Sequence, residues 1–121
     1  MPRYAALIYT PAETEGVEIS PEQMQELMSE YNEFSAAAAD AGIMGGGEAL
    51  HDTTTATTVR VKGKGGDAVF TDGPFAETKE VLGGFYLLDA SDLDEALKWA
   101  QQIPGAWRGT VEVRPCVDFE S

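Results

Sequence analysis

Of the 121 residues, 21 are Asp or Glu and 8 are Lys or Arg, which leaves a formal charge of −13 at pH 7. An acid excess of that size repels phosphate backbones and anionic lipid, so neither nucleic acid nor a membrane surface is an expected partner. The length suits a single domain, 1–121, whose core buries roughly two thirds of the unfolded chain's surface. The lone Cys116 rules out an internal disulfide and a zinc site built on paired cysteines, and a reducing compartment follows. Near the start, the apolar stretch Tyr4 to Tyr9 is too short for a signal core or a membrane span, and a cytoplasmic protein is expected.

Residues 3–9, Arg-Tyr-Ala-Ala-Leu-Ile-Tyr, form a short apolar run closed by Thr10 and Pro11, the pattern of a buried strand. Ser20-Pro21-Glu22-Gln23 then offers an N-cap, a proline at the first helical position and a glutamine at the third. A long helix is predicted from there. Its apolar positions Met24, Leu27, Met28, Tyr31, Phe34 and Ala38 recur at intervals of three and four and share a face, and Gly42 stops it. The three glycines within Met44 to Leu50 suggest a weak strand whose backbone runs close to a neighbour.

Thr54 to Lys62 alternates as a strand does, and Gly63-Lys64-Gly65-Gly66 punctuates a hairpin into Asp67 to Thr71. Asp72-Gly73-Pro74 forces a turn in which Pro74 pushes Gly73 extended and the Asp72 side chain can bond backbone two residues on. Gly84 to Leu88 returns as a strand. A second helix, capped by Ser91 or Asp92, carries Leu93, Ala96, Leu97, Ala100 and Ile103 on its apolar stripe and ends at Pro104-Gly105. Thr110 to Pro115 is the last strand. The order predicts an α+β fold of ferredoxin-like plan, with the two helices on one face of an antiparallel sheet.

Such a sheet should be polar on its uncovered face. Here Tyr4, Ala6 and Ile8 point one way, Ala5, Leu7 and Tyr9 the other, and Phe85 to Leu88 is apolar on both sides. Leaving even ~500 Å² of apolar surface wet forfeits on the order of 12 kcal/mol at about 25 cal/mol per Å². The expectation is therefore a homodimer with its sheets face to face, closing an α/β barrel around space for a small ligand.

The densest motif is Asp72-Gly73-Pro74-Phe75-Ala76-Glu77-Thr78-Lys79-Glu80, followed by Val81-Leu82-Gly83-Gly84-Phe85-Tyr86. This run closely resembles the YCII-related, or DGPF-domain, family of small bacterial proteins. Arg3 to Tyr9, Gly46 to Leu50, Thr55 to Arg60 and Glu112 to Pro115 fit the same resemblance, so it covers nearly the whole chain. The resemblance implies a dimeric ferredoxin-like barrel similar to the muconolactone isomerase group, with a pocket near the motif's aspartate, here Asp72. Relatives are described as enzymes in which an Asp and a His approach each other, and some as accessory proteins of extracytoplasmic-function sigma factors. Shorter relatives place that His on the first helix, where this chain has Glu30, Tyr31 and Asn32; its single histidine is His51.

Read from its chemistry, Asp72 is either a general base, if shielded among Phe75, Phe85 and Tyr86, or simply a turn former. His51, next to Asp52, reads more readily as a solvated loop end than as a site residue. Glu77, Lys79 and Glu80 suit local ion pairs, the alternative being that Lys79 holds an anionic ligand at the pocket mouth. Arg60 and Arg114 lie in strands as outward charges or as inward anion clamps. Cys116 should pack, and Trp99 and Trp107 should anchor the core or the dimer interface. Two functions follow from this set. One is a cofactor-free proton-transfer isomerase or lyase in which Asp72 moves the proton and Tyr31, Arg60 or Arg114 holds a small polar or anionic substrate. The other is a binding or regulatory module that senses a metabolite in the same pocket or docks its acidic surface on a basic protein. No metal is expected, because the spacing offers His51 no further ligands.

Overall fold

The first strand, β1 (Arg3–Pro11), lies in the middle of the sheet and carries apolar residues on both faces. In the computed structural model, which describes residues 2–119, it pairs antiparallel with β5 (Glu80–Asp89) on one side and β6 (Thr110–Pro115) on the other. Strand β2 (Met44–Ala49) adds to the far side of β5, giving a four-stranded antiparallel sheet in the order β2-β5-β1-β6. Helices α1 (Pro21–Asp40) and α2 (Leu93–Ala100) cover one face of it, and a short α3 (Gly105–Arg108) leads into β6. The fold is α+β, as the order of elements predicts.

The pairing register explains the core. Ala6 faces Tyr86 and Val113, and Ile8 faces Gly84 and Val111, so these side chains emerge on one face and meet Phe34 and Ala38 of α1, Ala100 at the end of α2 and Ile103 just beyond it. A second cluster joins Tyr4 to Ala90 and Ala96. Helix α1 starts where its caps predict: the Gln23 N–H donates to Ser20 Oγ at 3.1 Å, and the Ser20 N–H donates to Gln23 Oε1 at 2.9 Å. It ends in a Schellman turn, with the Ile43 N–H donating to the Ala38 carbonyl and the Gly42 N–H to that of Ala39. Asp92 caps α2 by accepting from the Glu95 N–H.

Several local expectations are corrected. Only Phe34 and Ala38 of the α1 stripe are buried; Met24 and Met28 are exposed, because the N-terminal half of the helix stands off the sheet. Leu93 and Leu97 of α2 are exposed too, and the chain resumes helix at Gly105 instead of stopping there. Thr53–Thr55 is a 3-10 turn held by Thr55 Oγ donating to the Asp52 carbonyl, so β3 begins only at Thr57. Cys116 is exposed, Trp99 packs on the core, and Trp107 points outward.

β3 (Thr57–Val61) and β4 (Ala68–Asp72) form the expected hairpin, yet it stands as a separate two-stranded sheet. The turn after it differs from the sequence reading. Gly73 takes φ +97°, a conformation that glycine reaches without strain, instead of an extended one. Its N–H donates to the Ala56 carbonyl at 2.7 Å and its carbonyl accepts from Thr58 Oγ at 2.8 Å. Among the described residues the Asp72 carboxylate makes no hydrogen bond, so backbone and Thr58 hold the turn. Among the described residues Glu77, Lys79 and Glu80 form no ion pairs, whereas Arg3 pairs with Asp89 and Arg108 with Glu30, each at 3.0 Å. No helix among the described residues is long and apolar enough to cross a membrane.

Candidate functional site

Where α1 stands off the sheet it leaves a cleft of about 480 Å³. Its roof is Leu27, Met28, Tyr31, Asn32 and Ser35, which recur at helical spacing on the underside of α1. The floor is Ile8 and Thr10 of β1, Gly83 to Tyr86 of β5 and Gly47 to Ala49 of β2. The floor can be this close because β2 is glycine-rich. A Cβ on Gly47 would stand 2.6 Å from the Phe85 carbonyl oxygen and 2.7 Å from Tyr86 Cδ1, so only glycine lets β2 lie against β5 here.

Tyr31 is the group in this cleft with the most developed chemistry. Burial pushes its phenol above the ordinary range, and the neighbouring Tyr86 phenol adds to the effect, while the Gly105 amide works in the opposite direction. A phenol held neutral in this way donates a hydrogen bond and is a poor base. Tyr86 is itself oriented by Phe34, the two rings lying 5.1 Å apart at 56°. Asn32, Ser35 and Thr10 add neutral donors and acceptors, and Glu48 adds a carboxylate at the β2 edge. The remaining lining is mostly aliphatic or aromatic, so the cleft suits a molecule with an apolar body and a small number of polar atoms.

Of the six residues singled out in the sequence, Tyr31 alone lines the cleft. His51 is exposed just beyond β2, Arg60 is exposed in β3, and Asp72 is exposed at the end of β4. Lys79 is exposed before β5, where its carbonyl accepts from the Ala12 N–H at 2.8 Å. Arg114 is exposed in β6, opposite Ala5 on the face away from the helices. A single chain thus brings none of Asp72, His51, Arg60, Lys79 and Arg114 to Tyr31. Leu27 and Met28 were read from the sequence as core, and Asn32 and Ser35 carried no chemical signal of their own. No group of three or more His, Cys, Asp or Glu that could hold a metal ion is gathered among the described residues.

The chain is similar to known sequences over almost its full extent. One relative, an uncharacterized protein of Rhizobium meliloti (strain 1021), is 40% identical over 114 residues, spanning 93% of this chain and 90% of that protein. The YCII-related domain matches residues 2–120, from before β1 to beyond β6, and so takes in the cleft, the hairpin and the Asp72 turn together. On that match, the chain belongs to the YCII-related family.

Proposed function

We propose that this protein is a homodimer that binds a small neutral molecule under α1, with Tyr31 donating a hydrogen bond to it. Tyr31 carries the reading: a neutral phenol set in the wall of a cleft of about 480 Å³. Among the described residues no Lys or Arg lines that cleft and Glu48 does, which favours a neutral ligand over an anionic one. The dimer is argued from the face of the sheet away from the helices. The register sets Ala5 against Leu87, Leu7 against Phe85 and Tyr9 against Leu82 there, an apolar patch bordered in β6 by Glu112 and Arg114. Two such ferredoxin-like sheets meeting face to face close a barrel.

Cyclohexanone and methylcyclohexane are suitable probes, since they differ mainly in the hydrogen-bond acceptor. Cyclohexanone should bind more tightly, shifting the amide resonances of Gly47, Gly83 and Gly84, and Tyr31→Phe should remove the difference. Equal binding of both probes to the native protein would refute the role given to Tyr31. For the dimer, light scattering should give about twice the 13.0 kDa chain mass at micromolar concentration, and Leu7→Lys should give folded monomer.

A proton-transfer enzyme with Asp72 as base is the second reading. What favours it is the neighbourhood of Asp72: β-pairing sets it on the same hairpin face as Val59 and Phe70, apolar side chains that would strip it of water once covered. Asp72→Asn should then preserve fold and dimer while abolishing turnover. An unaltered rate would leave Asp72 a turn residue.

A further inference from the structure

Helix α1 borders two hollows. Leu27, Tyr31 and Ser35 roof the cleft described above, while Glu30, Glu33, Phe34 and Ala37, also at helical offsets, wall a second groove of about 480 Å³ on a different face of the helix. The other wall is Gln101 and Gln102, just past the end of α2, and Trp107 of α3. None of these residues belongs to the sheet, so the groove lies in the helix layer, away from the face argued for the dimer.

Trp107 is the unusual member. Of the two tryptophans, Trp99 packs on the core, whereas Trp107 is 58% exposed. A side chain with that much apolar surface is ordinarily well covered, because leaving it wet costs free energy. Its backbone is fixed on both sides: Pro104 and Gly105 at the start of α3 are buried, and the next residue, Arg108, pairs with Glu30 at 3.0 Å.

That ion pair also sets the charge of the groove. Arg108 offsets Glu30, Glu33 forms no ion pair among the described residues, and no Lys or Arg is among the residues lining the groove. One unmatched carboxylate and an exposed indole in the same groove suit a cation that carries apolar substituents. The ring quadrupole and the carboxylate attract its charge, while the indole and Ala37 take its methyl groups. The Gln101 and Gln102 amides are neutral and can bond a hydroxyl on such a molecule. An anion would meet Glu33 as a like charge, and a hydrocarbon would strip that carboxylate of water without pairing it. A chain of −13 draws cations toward itself in any case.

We propose that this groove binds a small quaternary ammonium ion between Trp107 and Glu33. The site is separate from the Tyr31 cleft and stands whether or not that cleft takes a ligand.

Choline and 3,3-dimethylbutan-1-ol test the proposal, since they share a shape and differ in charge. Choline should shift the Trp107 indole N–H resonance saturably, that resonance being assigned by its loss in Trp107→Phe. It should bind at least tenfold more tightly than the alcohol in calorimetry, and more weakly as sodium chloride rises from about 20 to about 300 mM. Glu33→Gln and Trp107→Leu should each weaken choline about tenfold, with Trp107→Phe weakening it less because a ring remains. Both positions are exposed, so circular dichroism should show every variant folded. Tyr31→Phe should leave choline binding unchanged. Equal affinity for the two probes would overturn the site. So would choline binding that survives both Glu33→Gln and Trp107→Leu, which would mean that the acidic surface as a whole attracts the ion. Tighter binding of Nα-acetyl-lysine amide than of choline would make the groove a docking point for a peptide and overturn the free ammonium ligand.

Discussion

Tyr31 and Glu15 are the two side chains whose ionisation the fold alters most tellingly, and they do so in opposite senses. Burial raises the Tyr31 phenol, so alkaline titration followed by tyrosinate absorbance should end in a late step that Tyr31→Phe removes. Glu15 is lowered, first by the Thr53 hydroxyl and then by the Thr53 amide, both of which bond its charged form. A carboxylate whose folded value lies below its unfolded one adds stability above the ordinary glutamate value of about 4.3 and loses it as pH falls through the lower, folded value. Native protein should therefore melt above Glu15→Ala at pH 6, and the gap should close below about pH 4 in the same scans. Thr53 amide exchange should quicken in the variant. An unchanged gap down to pH 3 would mean that the clamp does not act through its charge.

At the scale of elements, the helix ends are local chemistry and were legible for that reason. Ser20, Pro21, Gln23 and Gly42 act within one turn of themselves, and the structure uses each as the sequence suggests. Ser20→Ala should cost about 1 kcal/mol in chemical denaturation, the usual loss of an N-cap. The closeness of β2 to its neighbour was legible too, in its glycines. Gly47→Ala should cost roughly 1–3 kcal/mol, as overpacking does, because the atoms it meets include a paired backbone carbonyl that cannot step aside. What periodicity could not reveal is how far α1 overhangs. Met24, Met28 and Phe34 all obey the same spacing, yet only Phe34 finds sheet beneath it, and that depends on strands distant in sequence. The cleft exists because of that overhang, so its lining was invisible except at Tyr31. Asp72 was visible as a motif, but its surroundings depend on a hairpin that leaves the main sheet.

Over the whole molecule, two apolar regions lie apart in sequence: the half-buried sheet face around Leu7 and Phe85, and the exposed hairpin face around Val59 and Phe70. If both close against a partner, replacing one residue in each should weaken association by more than either alone. Combining Leu7→Ala with Phe70→Ser in sedimentation equilibrium checks this, and a double variant no weaker than the worse single one would assign the interface to one region only. The charge of −13 per copy also opposes association at long range, so the proposed dimer should tighten between 20 and 300 mM salt as that repulsion is screened.

The outer strands of the main sheet carry a consequence for how the protein behaves when crowded. β2 bends at an irregularity between Met44 and Gly46, and β6 ends in Pro115, which has no N–H to offer, after Glu112 and Arg114. Kinks, charges and proline are the features that stop one sheet from templating another edge to edge. Strand-by-strand growth is thus closed off at both ends of the main sheet, and the two-fold contact proposed above would use up its apolar face. A concentrated solution should accordingly stay free of thioflavin-positive fibrils.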